Sequence, residues 1–160
     1  MVLNRLLYQY LNRKQKMKVI TLFFLLTVLP INWESDFSNA KKIAKEKHEL
    51  ILLNFSGSDW CGPCILLRRD YLESQVFTDM AKENLVLVNA DFPRKKKNIG
   101  TAEQVKRNED LAEQYNKEGS FPLTLLLDAD GKVLKIWHGK PETTPEEWTA
   151  EIKAICDANK

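Results

Sequence analysis

The chain has 160 residues, 44% of them apolar and 29% charged, which suffices for one domain with a hydrophobic core and is too short for two ordinary ones. Those proportions exclude collagen-like, disordered and disulfide-scaffold classes. The formal charge of +2 belongs to the N-terminal segment: removing residues 1–32 takes 5 of the 24 basic residues and none of the 22 acidic ones, leaving a net charge near −3. A mildly acidic domain lacks the basic face that nucleic-acid binding demands, so no nucleic-acid partner is expected.

Residues 1–32 carry Arg5, Arg13, Lys14, Lys16 and Lys18 ahead of the apolar run Val19 to Leu29. A basic stretch followed by an apolar run about a dozen residues long has the layout of a secretory signal and is short for a membrane span. Met17 is a second candidate start, and no clean Ala-x-Ala cleavage site follows. The segment is therefore expected to be a signal peptide or an N-terminal membrane anchor, with a buried helix as the alternative. Residues 33–160 form the domain, in a periplasmic or otherwise extracytoplasmic location.

From Asp36 to about Lys47 the spacing of Phe37, Ala40, Ile43 and Ala44 predicts an amphipathic helix. Leu50 to Phe55 is a near-continuous apolar run of strand length, closed by the turn residues Ser56, Gly57, Ser58 and Asp59. Helix is predicted over Ile65–Glu73 and Ser74–Lys82 with a break between, then a second strand over Leu85–Ala90. Together these make a right-handed parallel βαβ unit. Asp91 to Thr101, with Arg94, Lys95, Lys96 and Lys97, reads as a solvated basic insertion.

A charged helix over Ala102–Asn116 follows, then a hairpin of Leu123–Leu127 and Val133–Trp137 around Asp128-Ala129-Asp130-Gly131. The last helix is the best signalled. Thr144, Pro145 and Glu147 supply an N-cap, a proline at the first helical position and the glutamate of a capping box, and Trp148, Ile152 and Ile155 line one face. Phe37, Phe55, Phe77, Met80 and Trp148 fall at core spacings. The element order is α-β-α-β-α-β-β-α, an α/β domain with a mixed sheet flanked by helices.

Cys61 and Cys64 stand three residues apart at a strand-to-helix turn, within disulfide reach. At a helix N-terminus, free backbone N–H groups and the dipole favour the Cys61 thiolate, making it the attacking nucleophile. Pro63 is tolerated in a first helical turn, Gly62 leaves the backbone beside the sulfur open, and Trp60 shields one side of the pair. Attack of Cys61 on a substrate disulfide gives a mixed disulfide that Cys64 resolves. A zinc ribbon needs a second ligand pair, whereas only Cys156, His48 and His138 remain, at no ligand spacing, so no metal is expected. A purely structural disulfide is the other alternative. Cys156 reads as a small buried hydrophobe, and the two histidines as loop or helix-end residues.

The run from Asn54 to Cys64 containing Trp60-Cys61-Gly62-Pro63-Cys64, with Phe121-Pro122-Leu123-Thr124 some sixty residues later, resembles the thioredoxin superfamily, especially its secreted bacterial branch. The likeness covers residues 33–158. It implies the thioredoxin fold, a cis proline at Pro122 packed beside the disulfide, and substrate pairing with the backbone around Phe121. With Trp60, Gly62 and Pro63 these make the expected substrate contacts. Two departures stand out: the family's buried Asp and its partner Lys correspond to Asn54 and Leu87. Because Asn is no carboxylate base, the resolving step needs water, Asp59 or another group.

The resemblance implies a protein-disulfide reductase without a cofactor, acting on protein disulfides outside the cytoplasm at a potential of about −270 mV. In an oxidising compartment it needs a membrane-bound electron donor. A disulfide oxidase or isomerase, a non-catalytic thioredoxin-fold copper-binding module and a peroxidase are the alternatives.

Overall fold

The structure, a computed structural model, describes residues 32–159. The expected leader at residues 1–32 lies almost wholly outside them. Among the described residues no helix is long and apolar enough to cross a membrane.

Among the described residues five strands and five α-helices follow in order: β1 (Trp33–Glu34), α1 (Phe37–Lys47), β2 (Leu50–Ser56), α2 (Gly62–Leu67), α3 (Gln75–Asn84), β3 (Leu85–Asp91), α4 (Ala102–Tyr115), β4 (Leu123–Leu127), β5 (Val133–His138) and α5 (Pro145–Ala158), with a π-helical turn over Arg68–Leu72 joining α2 to the bend before α3 and a short 3-10 turn over Lys96–Asn98. The five strands form one sheet in the order β1-β3-β2-β4-β5. β1 and β2 run parallel to β3, whereas β4 and β5 pair antiparallel. This is the thioredoxin fold, and it matches the predicted order except for β1, whose two residues reach across the sequence to Leu87 and Val88.

Local chemistry sets the boundaries. Asp36, Ser74, Thr101 and Thr144 each cap a helix by accepting the backbone N–H three residues on, and Thr144 with Glu147 completes the predicted capping box. His48 ends α1 in the left-handed region at φ 56°. Asp128 accepts from the N–H groups of Asp130 and Lys132 to close the hairpin, where Gly131 takes φ 91°.

β2 is buried on both faces, so its side chains divide between two cores by the period of two. Ile51, Leu53 and Phe55 join Val86, Val88 and Ala90 under α1 and α4. Leu50 and Leu52 join Leu85, Leu87, Leu67, Phe77, Trp148 and Ile152 under α2, α3 and α5. Trp148, 1% exposed, stacks on Phe77 and meets Tyr71 and Trp137 edge-on. The Tyr71 hydroxyl donates to the Thr143 carbonyl at 2.6 Å, tying the π-helical turn to the entry of α5. Cys156 is buried in this second core.

Candidate active site

Asn54 and Ser56 end β2 on the same face as Leu50 and Leu52, and Asn89 and Asp91 end β3 on the face of Leu85 and Leu87; the register sets Asn54 beside Asn89 and Ser56 beside Asp91. The core under α2 therefore turns polar at the carboxyl end of both strands. The Asn54 amide donates to Asn89 Oδ1 at 2.8 Å, and Thr124 of β4 donates to Asn54 Oδ1 at 3.1 Å. The Ser56 hydroxyl donates to Asp91 at 2.9 Å, and Ser58 gives the same carboxylate its backbone N–H and its hydroxyl.

The chain turns at Gly57 and enters α2 at Gly62, which places the two cysteines over this polar end. Cys61 is the N-cap, Pro63 occupies the first turn, and the Cys64 N–H donates to Cys61 Sγ at 3.2 Å. The two sulfurs are joined as a disulfide, with Cα atoms 5.2 Å apart, and both residues are buried, at 5% and 3% exposure. Gly62 and Pro63 are exposed between them. A Cβ on Gly62 would meet no atom within 4 Å, so packing within the protein does not require a glycine there. Cys64, Asn54, Ser56 and Asn89 line one cavity of about 290 Å³, bordered by Arg68 and Glu73.

Three aromatic rings cluster around Trp60, the residue before Cys61. Trp60 meets Phe121 edge-on, with centroids 5.5 Å apart, and Phe121 meets Phe92 in the same way. The Trp60 indole N–H donates to the Phe92 carbonyl at 2.7 Å. The Phe121–Pro122 peptide bond is cis, and Pro122 is buried. Trp60, the residue before Cys61, and Phe121, the residue before the cis proline, are thus brought into contact across the sequence.

Gly57 is a site residue that sequence reading treated only as part of a turn. A Cβ there would lie 2.3 Å from the Trp60 ring, so only glycine lets the indole lie across the turn. The small-residue run before Trp60 was the available signal.

The surroundings of Asp59 and of Asn54 add to two expectations. The basic segment after β3 is solvated, with residues 94–100 exposed, and its backbone is also tied down. Both oxygens of Asp59 are occupied by it: the N–H groups of Arg94 and Lys95 donate at 2.9 Å each, and the Asn98 amide at 2.8 Å. These donors, the Arg94 N–H above all, hold the Asp59 carboxyl below its ordinary value against the opposing effect of desolvation. Asp59 is therefore engaged with the loop. The β3 residue beside Asn54 is Asn89, while Leu87 pairs with Leu52 and is 1% exposed in the core.

His48 and His138 sit at the end of α1 and the end of β5. Among the described residues no group of three or more His, Cys, Asp or Glu side chains is placed to hold a metal ion.

Comparison with known proteins decides the family. A family described as Thioredoxin-like matches residues 32–129. The chain belongs to the thioredoxin-like family. It is 39% identical over 104 residues to Disulfide bond reductase DsbH of Chlamydia pneumoniae, covering 65% of this chain and 60% of that protein. It is 31% identical over 97 residues to Thioredoxin-related protein DsbJ of the same organism, covering 61% of this chain and 27% of that protein. The matches thus span three fifths of one relative and about a quarter of the other. A solved structure titled DsbH Oxidoreductase superposes with a TM-score of 0.71 at 32% identity, over 83% of this chain and 92% of that one. A thioredoxin from Thermus thermophilus, at 14% identity and a TM-score of 0.61, shares the fold.

Proposed function

We propose that this thioredoxin-like protein is a thiol-disulfide oxidoreductase that reduces disulfides of proteins outside the cytoplasm. The observation that carries this reading is the Cys61–Cys64 disulfide at the N-terminus of α2, over a polar cavity and beside the aromatic group that includes the residue before a cis proline. The name of DsbH, a disulfide bond reductase, supports the direction.

In the reduced protein, the free N–H groups at the start of α2 favour a thiolate on Cys61. That thiolate attacks one sulfur of a substrate disulfide, forming the mixed disulfide and expelling the other substrate sulfur as a thiolate. Cys64 loses its proton and attacks Cys61 Sγ. The Cys61–Cys64 bond re-forms, the second substrate sulfur leaves, and the substrate has gained two electrons and two protons. Phe121 and Pro122, with Trp60, Gly62 and Pro63, supply the surface on which the substrate chain lies. A membrane-bound dithiol donor then reduces the protein for the next turn. The basic leader and apolar run of residues 1–32 support export, with a periplasmic or membrane-anchored domain.

The deciding experiment is the equilibrium reduction potential of the Cys61/Cys64 pair, by titration against dithiothreitol and glutathione in a Cys156→Ser background. A value near −270 mV supports the reductase, whereas one above about −180 mV replaces it with an oxidase or isomerase.

A further inference from the structure

Arg94, Lys95, Lys96 and Lys97 are four consecutive cations, all exposed, in a segment locked to the turn that carries the cysteines. The lock uses backbone: the N–H groups of Arg94 and Lys95 and the Asn98 amide fill the Asp59 carboxylate, two residues before Cys61. The charged ends of the four side chains are not needed to hold the loop. None of them makes an ion pair within 4 Å among the described residues, although Lys95 is close enough to act on Asp59 through its charge. The cations that follow the cysteines in α2 and its π-helical turn are paired, Arg68 with Glu73 and Arg69 with Asp70.

Arg94 is the most closely placed of the four. Its guanidinium lies 3.9 Å from the centroid of the Trp60 ring, the residue before Cys61. A guanidinium held over a ring through its charge keeps its N–H groups available to a carboxylate, which a guanidinium can bind through two parallel hydrogen bonds. Fixed like charges concentrated on one side of a site repel one another and attract the opposite charge.

We infer that the loop from Arg94 to Lys97 selects acidic substrates: the polypeptide flanking the target disulfide carries Asp or Glu, which pair with Arg94 on Trp60 while Lys95, Lys96 and Lys97 draw the segment in. The inference rests on the proposed oxidoreductase function and adds a substrate class to it. The geometry marks the Trp60 end of the site as the one the acidic residues meet, since Arg94 lies over Trp60.

The test is stopped-flow reduction of three synthetic disulfide peptides by the reduced protein, identical except for Glu, Gln or Lys at the positions flanking the cystine. The Glu peptide should react about tenfold or more faster than the Lys peptide at low ionic strength, and the gap should shrink in about 0.5 M salt. In the variant Lys95→Gln/Lys96→Gln/Lys97→Gln, the ratio of Glu-peptide to Gln-peptide rates should fall toward one. Arg94→Lys keeps the charge but loses the planar fork, and should lower that ratio at high salt as well as low.

Equal rates on the Glu and Lys peptides, with the Gln peptide still reduced, would overturn the acidic-substrate inference and leave the reductase reading standing. So would a preference unchanged in the triple variant. Loop-dependent binding to vesicles containing phosphatidylglycerol, without any peptide preference, would replace it with a membrane surface as the partner. Failure to reduce any of the three peptides would overturn both readings.

Discussion

The two faces of the β2–β3 pair are built from the same two segments and differ in kind. Ile51, Leu53 and Phe55 against Val86, Val88 and Ala90 are apolar from end to end. On the other face Leu50 and Leu52 pair with Leu85 and Leu87, then Asn54 and Ser56 pair with Asn89 and Asp91. The switch falls at the same register position in both strands, and Cys64 lies over its polar side. One face is packing throughout, while the other turns polar beneath Cys64. Buried polar groups are costly unless bonded, and here each finds partners: Asn54 in Asn89 and Thr124, Ser56 in Asp91.

The comparison can be broken most sharply at the cysteines. Cys61→Ser should abolish disulfide exchange with little change in melting temperature, whereas Cys64→Ser should accumulate a mixed disulfide visible on a non-reducing gel. Equal and harmless effects of the two would refute the assigned roles. On the packing face, Phe55→Ala should cost about 3–5 kcal/mol in denaturant unfolding while leaving the thiol reactivity of refolded protein near its original rate. A loss of reactivity in proportion to stability would show that the faces are not separable.

Gly57→Ala should cost about 1–3 kcal/mol and expel the Trp60 indole from the turn, read as a red shift in tryptophan emission and a slower first exchange step. Asn54→Asp puts a carboxyl in the cavity with Cys64. Burial raises its pKa, so its charged form destabilises the fold as pH climbs from the ordinary value of about 3.9 through the raised one, and the resolving step acquires a new pH-dependent limb. An unchanged profile would place Asn54 out of reach of Cys64.

The smallest effect concerns Asp59. Its lowered pKa means that the loop clamp is at full strength above the unfolded value of about 3.9 and weakens as pH falls through the lower folded one. Trp60 fluorescence should therefore report loop release only in strong acid, and Asp59→Asn should remove that transition.

Much of this was legible because it is local. The capping box at Thr144, the apolar runs of β2 and β3 and the spacing of Cys61 and Cys64 are all read within a few residues. What escaped depends on pairs far apart in the chain. Asp59 meets Arg94 and Lys95 across thirty-five and thirty-six residues, and a run of four cations without that carboxylate reads as solvated loop. Asn89 as the neighbour of Asn54 follows from a strand register that composition does not state, and β1 is too short for any periodicity to mark. Gly57 was visible as a turn residue, but its need for a missing Cβ appears only once the Trp60 ring is in place.

Trp148 sits at the centre of the core under α2, in the last helix, beyond the stretch matched to the family at residues 32–129. During synthesis from the N-terminus, the helix bearing the cysteines emerges early, but the apolar surface beneath it stays open until residue 148 has left the ribosome. The nascent chain consequently holds its two thiols on an unfinished support while the residues between Cys64 and Trp148 are made.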